Sequence, residues 1–168
     1  IDRFIYSILE YIKNNGKEEI VFNIIGEGNE TSKLKRIVKE NKILENIVIF
    51  CGRQSGKELD KIYNKMEVAV GSLGFSRIGL ERGAPLKTRE YIAKGLPIII
   101  GYEDISLNSS IKFIDKVPND ESLFSIEKII KWYKNLNMAP EEIRKYAENN
   151  LSWDIQMKKV VESIKELM

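Results

Sequence analysis

The chain has 168 residues, a formal net charge of +2, 43% hydrophobic residues and 31% charged residues. That mixture describes one globular domain of the soluble class, long enough to bury a core without disulfides. There is no histidine and a single cysteine, Cys51, which excludes Ser-His-Asp triads, Cys-His nucleophile pairs, histidine metal sites and an intrachain disulfide within the chain. The small net charge gives no argument for nucleic acid, and no apolar run reaches membrane-spanning length.

Phe4, Ile5, Ile8, Leu9 and Ile12 sit at helical spacing, and Asn14, Asn15 and Gly16 stop that helix. This opening stretch reads as an amphipathic helix and not as a signal peptide. Ile20–Gly26 is a strand, "GEGNE" a turn, and Leu34, Ile37 and Val38 mark a second helix before the strand Ile47–Gly52. "GEGNE" lacks the third glycine of a dinucleotide fingerprint, with Thr31 in its place, and reads as a tight turn. Ser55 is placed to cap "GKELDKIYNKM", with Leu59, Ile62 and Tyr63 facing inward. Glu67–Ser72 is a third strand and "LGFSRIGLERG" a long loop. A helix over Pro85–Lys94, a strand "PIIIG", a strand "KFIDKV" and two or three helices from Ser122 onward complete the order.

Aliphatic strands alternating with helices imply a parallel sheet covered on both faces. The expected fold is a doubly wound, Rossmann-like α/β domain over residues 1–168, with extra C-terminal helices. Such units open on a strand, whereas this chain opens on a helix and without methionine. The expectation is therefore a piece cut just after the first strand of a longer protein.

The helix after Ala84 carries the chemistry. Pro85 suits its first position, Gly95 the position past its end, and Pro97 blocks continuation. Gly83 and Ala84 precede it, and neither has a side chain that caps, so the N–H groups of the first turn are unpaired by their own sequence. Lys87 in that turn opposes the helix dipole at a cost of roughly 0.3–1 kcal/mol. An anion bound at that end removes both oddities, and the loop Ser72–Ala84 leaves its strand at the sheet edge where α/β ligands bind. Glu90, three residues on and on the same face, is placed to accept hydrogen bonds from the ribose of a nucleotide diphosphate. The same spacing also describes an ordinary surface pair of Lys87 with Glu90.

Other features have two readings. Arg77, Arg82, Lys87 and Arg89 form either a solvated face or an anion funnel for a diphosphate or an anionic lipid-linked acceptor. Phe75 and Ile78 are loop anchors or acceptor contacts. Ser152 is a cap with Trp153 packed beneath, and Cys51 is a small buried hydrophobe.

The order "IIGEGNE…VIFCGR…EVAVGSL…PLKTREYIAKGLPIIIGYED…LSWD" resembles the C-terminal, donor-binding half of GT-B glycosyltransferases, in particular the retaining nucleotide-sugar enzymes of family four, over nearly the whole chain. The resemblance implies that Glu90 binds the donor ribose and that the backbone N–H groups of Leu86 and Lys87 hold the phosphates. Gly83 and Ala84 then belong to the sugar and phosphate loop, and Cys51, Gly52 and Arg53 lie near the base. The family's first glutamate falls where this chain has Arg82, so Glu81 takes that catalytic position only with a one-residue adjustment of the loop. The last helix, with Val160, Val161, Ile164 and Leu167, would turn a sticky face toward an N-terminal acceptor domain.

The activity implied is retaining transfer from a nucleotide-diphosphate sugar to a glycan or lipid-linked acceptor, without metal or other cofactor. The place implied is cytoplasmic, with an option of peripheral attachment at the inner membrane face through the N-terminal domain. The isolated domain is expected to transfer nothing. Arg82 keeps open the alternative of a non-catalytic GT-B-like assembly module. A receiver-like domain would need acidic residues clustered at strand ends, where this chain has "IIGEG" and "VAVGSL". A GT-B-fold sugar epimerase would need a histidine or an acidic dyad.

Overall fold

The computed structural model describes residues 1–108 and 110–166. The chain forms two compact units, one of Ile1–Lys65 with Asp120–Lys131, the other of Met66–Asn119 with the chain from Trp132 onward. Every strand pairing among the described residues is parallel, and helices lie between the first and second strands, the second and third, and the fourth and fifth. This is the α/β, Rossmann-like class that the alternation predicts.

In the first unit the order is α1 (Asp2–Lys13), β1 (Phe22–Ile25), α2 (Thr31–Glu40), β2 (Val48–Gly52) and α3 (Gly56–Tyr63). Phe22 faces Val48 and Ile24 faces Phe50, and the register then slips so that Ile25 faces Gly52. The residues at helical spacing are the ones that α1 and α2 bury: Phe4, Ile5, Ile8 and Leu9, then Leu34, Ile37 and Val38. Ser55 holds the cap position of α3 but makes no side-chain cap bond, and Asn64 ends the helix before "NKM".

Arg3 is the unexpected core residue of this unit, 3% exposed. Its Nε and Nη2 donate to the Ser122 carbonyl at 3.0 and 2.9 Å, and its guanidinium lies 5.3 Å from the Phe124 ring centre. A buried cation is tolerable when its donors are satisfied. These bonds, with the Phe4–Phe124 ring contact, hold the segment from Asp120 against α1.

The second unit contains β3 (Ala69–Val70), β4 (Arg82–Gly83), α4 (Leu86–Ala93), β5 (Ile98–Ile100), β6 (Glu103–Asp104), β7 (Ile114–Lys116), α6 (Pro140–Asn150) and α7 (Trp153–Glu166). Helix α5 (Ile126–Asn135) begins in the first unit and ends in the second. The strand order is β3-β5-β7, so β5 is bonded on both edges, and its three isoleucines are fully buried. Each such burial is worth about 1.5–3 kcal/mol, which explains an unbroken aliphatic run in place of an alternating one. The two-residue ribbon β4–β6 has no pattern long enough to read in the sequence.

Helix α4 runs Leu86–Ala93, shorter at both ends than the expected Pro85–Lys94. Pro85 is the N-cap, not the first helical residue: its ψ of 135° is extended, the geometry from which a chain turns into a helix. The C-terminus closes as foreseen, with Gly95 N–H bonded to Ile92 O and Leu96 N–H to Tyr91 O. Trp153 does not pack beneath its helix but is 77% exposed. It is the first residue of α7, and helical side chains lean toward the N-terminus, so its ring projects past the helix start. Val160, Val161 and Ile164 are exposed as well, and Leu167 lies outside the described residues.

Gly95 adopts φ +81°, and a Cβ there would lie 2.6 Å from the Pro140 carbonyl oxygen and 2.7 Å from Arg144 Nη1. Arg144 Nη1 donates to the Lys94 carbonyl at 3.0 Å, so α6 is seated on the end of α4. Gly79 has a similar φ of +69° but open space around it. Gly95→Ala is expected to lose more than the roughly 1–2 kcal/mol of left-handed strain alone, and Gly79→Ala about that strain alone; urea melts of the two variants check the difference.

Candidate functional site

The loop between β3 and α4 is stiff at both ends. A 3-10 turn, Ser76–Ile78, ends at left-handed Gly79, and Asn119 holds it: its Oδ1 accepts from Ser76 N–H at 3.0 Å and its Nδ2 donates to the Leu80 carbonyl at 2.9 Å. Phe75 stacks on Tyr102 with ring centres 4.5 Å apart, which makes Phe75 an anchor. A Cβ on Gly83 would stand 2.5 Å from the Phe75 ring, so this position has room only for glycine. Ile78 stays 69% exposed.

The first turn of α4 has the anion-receptive form. No side chain caps it. Thr88 N–H is bonded to the Pro85 carbonyl at 3.1 Å, whereas the N–H groups of Leu86 and Lys87 are engaged by nothing among the described residues. Leu86 and Lys87 are exposed, and Lys87 forms no ion pair among the described residues, so the Lys87–Glu90 surface pair does not occur. Glu90 is half-buried, and its charge raises the pKa of Tyr91, second to burial.

The arginines divide. Arg89 does not join an anion funnel; it turns inward and grips Asp104. Its Nη1 pairs with Asp104 Oδ2 and its Nη2 with Oδ1 at 2.6 Å, a bidentate fork with the carboxylate 4% exposed. Asp104 Oδ1 also accepts Ser106 N–H at 3.0 Å. Beside it, the fully buried Thr88 hydroxyl meets the Tyr102 hydroxyl at 2.5 Å, and that hydroxyl lies 3.5 Å from Asp104 Oδ2. A carboxylate takes this burial only because opposite charge and hydrogen bonds satisfy it. Arg82 Nε reaches Glu103 at 3.2 Å on the exposed side of the ribbon.

A cleft of about 450 Å³ opens past the carboxyl ends of β5 and β7, lined among others by Ser76, Glu81, Tyr102, Glu103, Lys116 and Asn119. Ser76 Oγ is buried without a hydrogen-bond partner. Glu81, exposed, therefore shares a cleft with polar groups that can hold a hydroxylated ligand, and its carbonyl accepts Glu103 N–H at 2.9 Å. Gly83 and Ala84 lead from it to α4. Cys51, Gly52 and Arg53 end β2 in the first unit. Cys51 is half-buried and not a core residue, with Sγ 3.6 Å from Asn23 Oδ1, because every second residue of β2 faces away from α1 and α2.

Sequence reasoning missed Thr88, Tyr102, Asp104 and Asn119. A signal existed for Asp104: an acidic residue four positions past a wholly apolar strand, with an arginine on the preceding helix. Asn119 had none, being brought to its loop across 43 residues of chain.

A family model described as glycosyl transferases group 1 matches residues 1–112, a stretch holding Cys51–Arg53, Glu81 and the whole of α4. No curated protein and no solved structure matches the chain.

Burial pushes the Tyr102 phenol up to about 12; the Thr88 hydrogen bond works against this and the Asp104 charge adds to it. The folded state thus keeps a proton that the unfolded chain releases near pH 10. Its contribution is full below that pH and is lost as pH rises toward 12. Tyr102→Phe should flatten the fall in unfolding free energy over this window, measured by urea melts at each pH; an unchanged slope would show that the phenol is not protected.

Proposed function

The chain belongs to the group 1 glycosyltransferases, and from that premise we propose that it is the donor-binding domain of such an enzyme, holding a nucleotide-diphosphate sugar for retaining transfer. The observation that carries this reading is the start of α4: an uncapped helix end with two N–H groups and a lysine that have no partner among the described residues. Such an end attracts phosphate by dipole, hydrogen bond and charge together.

In this reading Leu86 and Lys87 hold the diphosphate through their N–H groups, with the Lys87 ammonium alongside, and Glu90 accepts hydrogen bonds from the ribose. Gly83 and Ala84 let the loop approach the phosphates closely. The sugar extends toward Glu81 and the cleft beside it. As the bond from the sugar to the diphosphate breaks, negative charge grows on the leaving oxygen. Fixed N–H dipoles and Lys87 stabilise that charge without a metal ion. An N-terminal acceptor domain supplies the glycan or lipid-linked acceptor, at the cytoplasmic membrane face when the acceptor is lipid-linked.

A second reading, a GT-B-like assembly module without transfer, is favoured by Arg82. It stands where the family's first glutamate is expected, and its guanidinium is paired with Glu103.

Titration of the full-length protein with UDP, GDP and ADP, followed by amide chemical shifts, tests the first reading. One nucleotide should shift Leu86 and Lys87. Lys87→Ala should weaken it about tenfold or more, since hydrogen bonds to charged groups contribute about 1.5–3 kcal/mol, and Glu90→Ala should weaken the nucleoside as well. No shift at Leu86 or Lys87 with any of the three at millimolar concentration would favour the assembly module.

A further inference from the structure

Helix α4 has eight residues and an uncapped start, so little of its own fixes where its first turn lies. The fixing comes from two adjacent residues. The Thr88 hydroxyl is bonded to Tyr102, and Arg89 is forked onto Asp104. Asp104 is itself anchored: its backbone belongs to β6, in register with Gly83 of β4, two residues before the N-cap Pro85. The Arg89 Nη1 also reaches back to the Pro85 carbonyl at 3.4 Å. The chain from Gly83 through α4 and β5 to Asp104 is therefore a closed loop, joined once by backbone register and twice by side chains. A buried ion pair is weak evidence for stability, because apolar residues of similar volume often serve as well. A planar fork with a carboxylate held on both oxygens adds direction, which an apolar contact lacks.

We propose that the Arg89–Asp104 fork, with the Thr88–Tyr102 bond beside it, is the positioning device of the anion-binding end of α4. It sets the height and direction of the Leu86 and Lys87 N–H groups, and so where a ligand's phosphates are met. Arg89 and Asp104 are positioning residues: neither faces the ligand. The proposal rests on the donor reading above. Displacement of a binding group by about 1 Å can cost on the order of a hundredfold where geometry matters.

The test uses the full-length protein, the nucleoside diphosphate it binds best of UDP, GDP and ADP, and the matching nucleoside. Arg89→Met with Asp104→Leu removes the fork and both charges at similar volume. The double variant should keep its thermal midpoint within a few degrees and lose about tenfold or more in diphosphate affinity, while nucleoside affinity falls less than about threefold. Arg89→Lys keeps the charge but cannot present two parallel N–H groups. It should fall between wild type and the double variant, and it carries the same comparison if the double variant does not fold. Unchanged diphosphate affinity in a folded variant would overturn the proposal, as would equal losses for nucleoside and diphosphate, the mark of general loosening. A wild-type protein that binds no nucleotide would instead overturn the donor reading, and this proposal with it.

Discussion

The second unit depends on one buried carboxylate. Asp104 lies four residues past the buried isoleucines of β5 and is almost fully removed from water. A charge buried there without a partner would cost several kcal/mol. Arg89 makes its burial acceptable, and in doing so ties α4 to the ribbon β4–β6. The neighbouring residues follow from that tie. Thr88 faces inward onto Tyr102, and Tyr102 in turn seats Phe75, whose ring fits only because position 83 is glycine. With Thr88 and Arg89 committed to the interior, the helical period leaves Lys87 on the outside.

The first unit uses a related device with a different partner. Arg3 is buried against a backbone carbonyl from a segment 119 residues away, and its attraction to the Phe124 ring adds to the tie. In both units the arginine uses its planar head to direct two N–H groups at its partner, Arg3 at the Ser122 carbonyl and Arg89 at the Asp104 carboxylate. Neither residue is a site residue in the sense of touching a ligand, yet each decides where a segment lies.

The division among Arg82, Lys87 and Arg89 bears on function. A cluster of cations in a sequence suggests a single anion-binding patch, but here the cations have different tasks. Arg89 is structural, Arg82 pairs with Glu103 at the surface, and Lys87 alone stands at the uncapped helix end. In the donor reading proposed above, one ammonium and two N–H groups act in place of a broad funnel. The group 1 glycosyltransferase match gives that reading a context, and in that reading the cleft beside Glu81 offers the ligand a direction to extend.

The sequence by itself determined the elements and their class. All five foreseen strands and the helices between them are present, because burial on one helix face or on both sheet faces imposes periods that composition cannot hide. It also determined the uncapped start of α4 and its glycine-closed end, since capping is a matter of adjacent residues. Tertiary structure alone decided the rest. The ribbon β4–β6, the Asn119 hold on the loop, the inward turn of Arg89 and the exposure of Trp153 depend on which distant groups meet. The physical reason is that a charged side chain leaves water only where a partner of matching charge and geometry offsets its desolvation, and whether such a partner is waiting is a property of the folded chain.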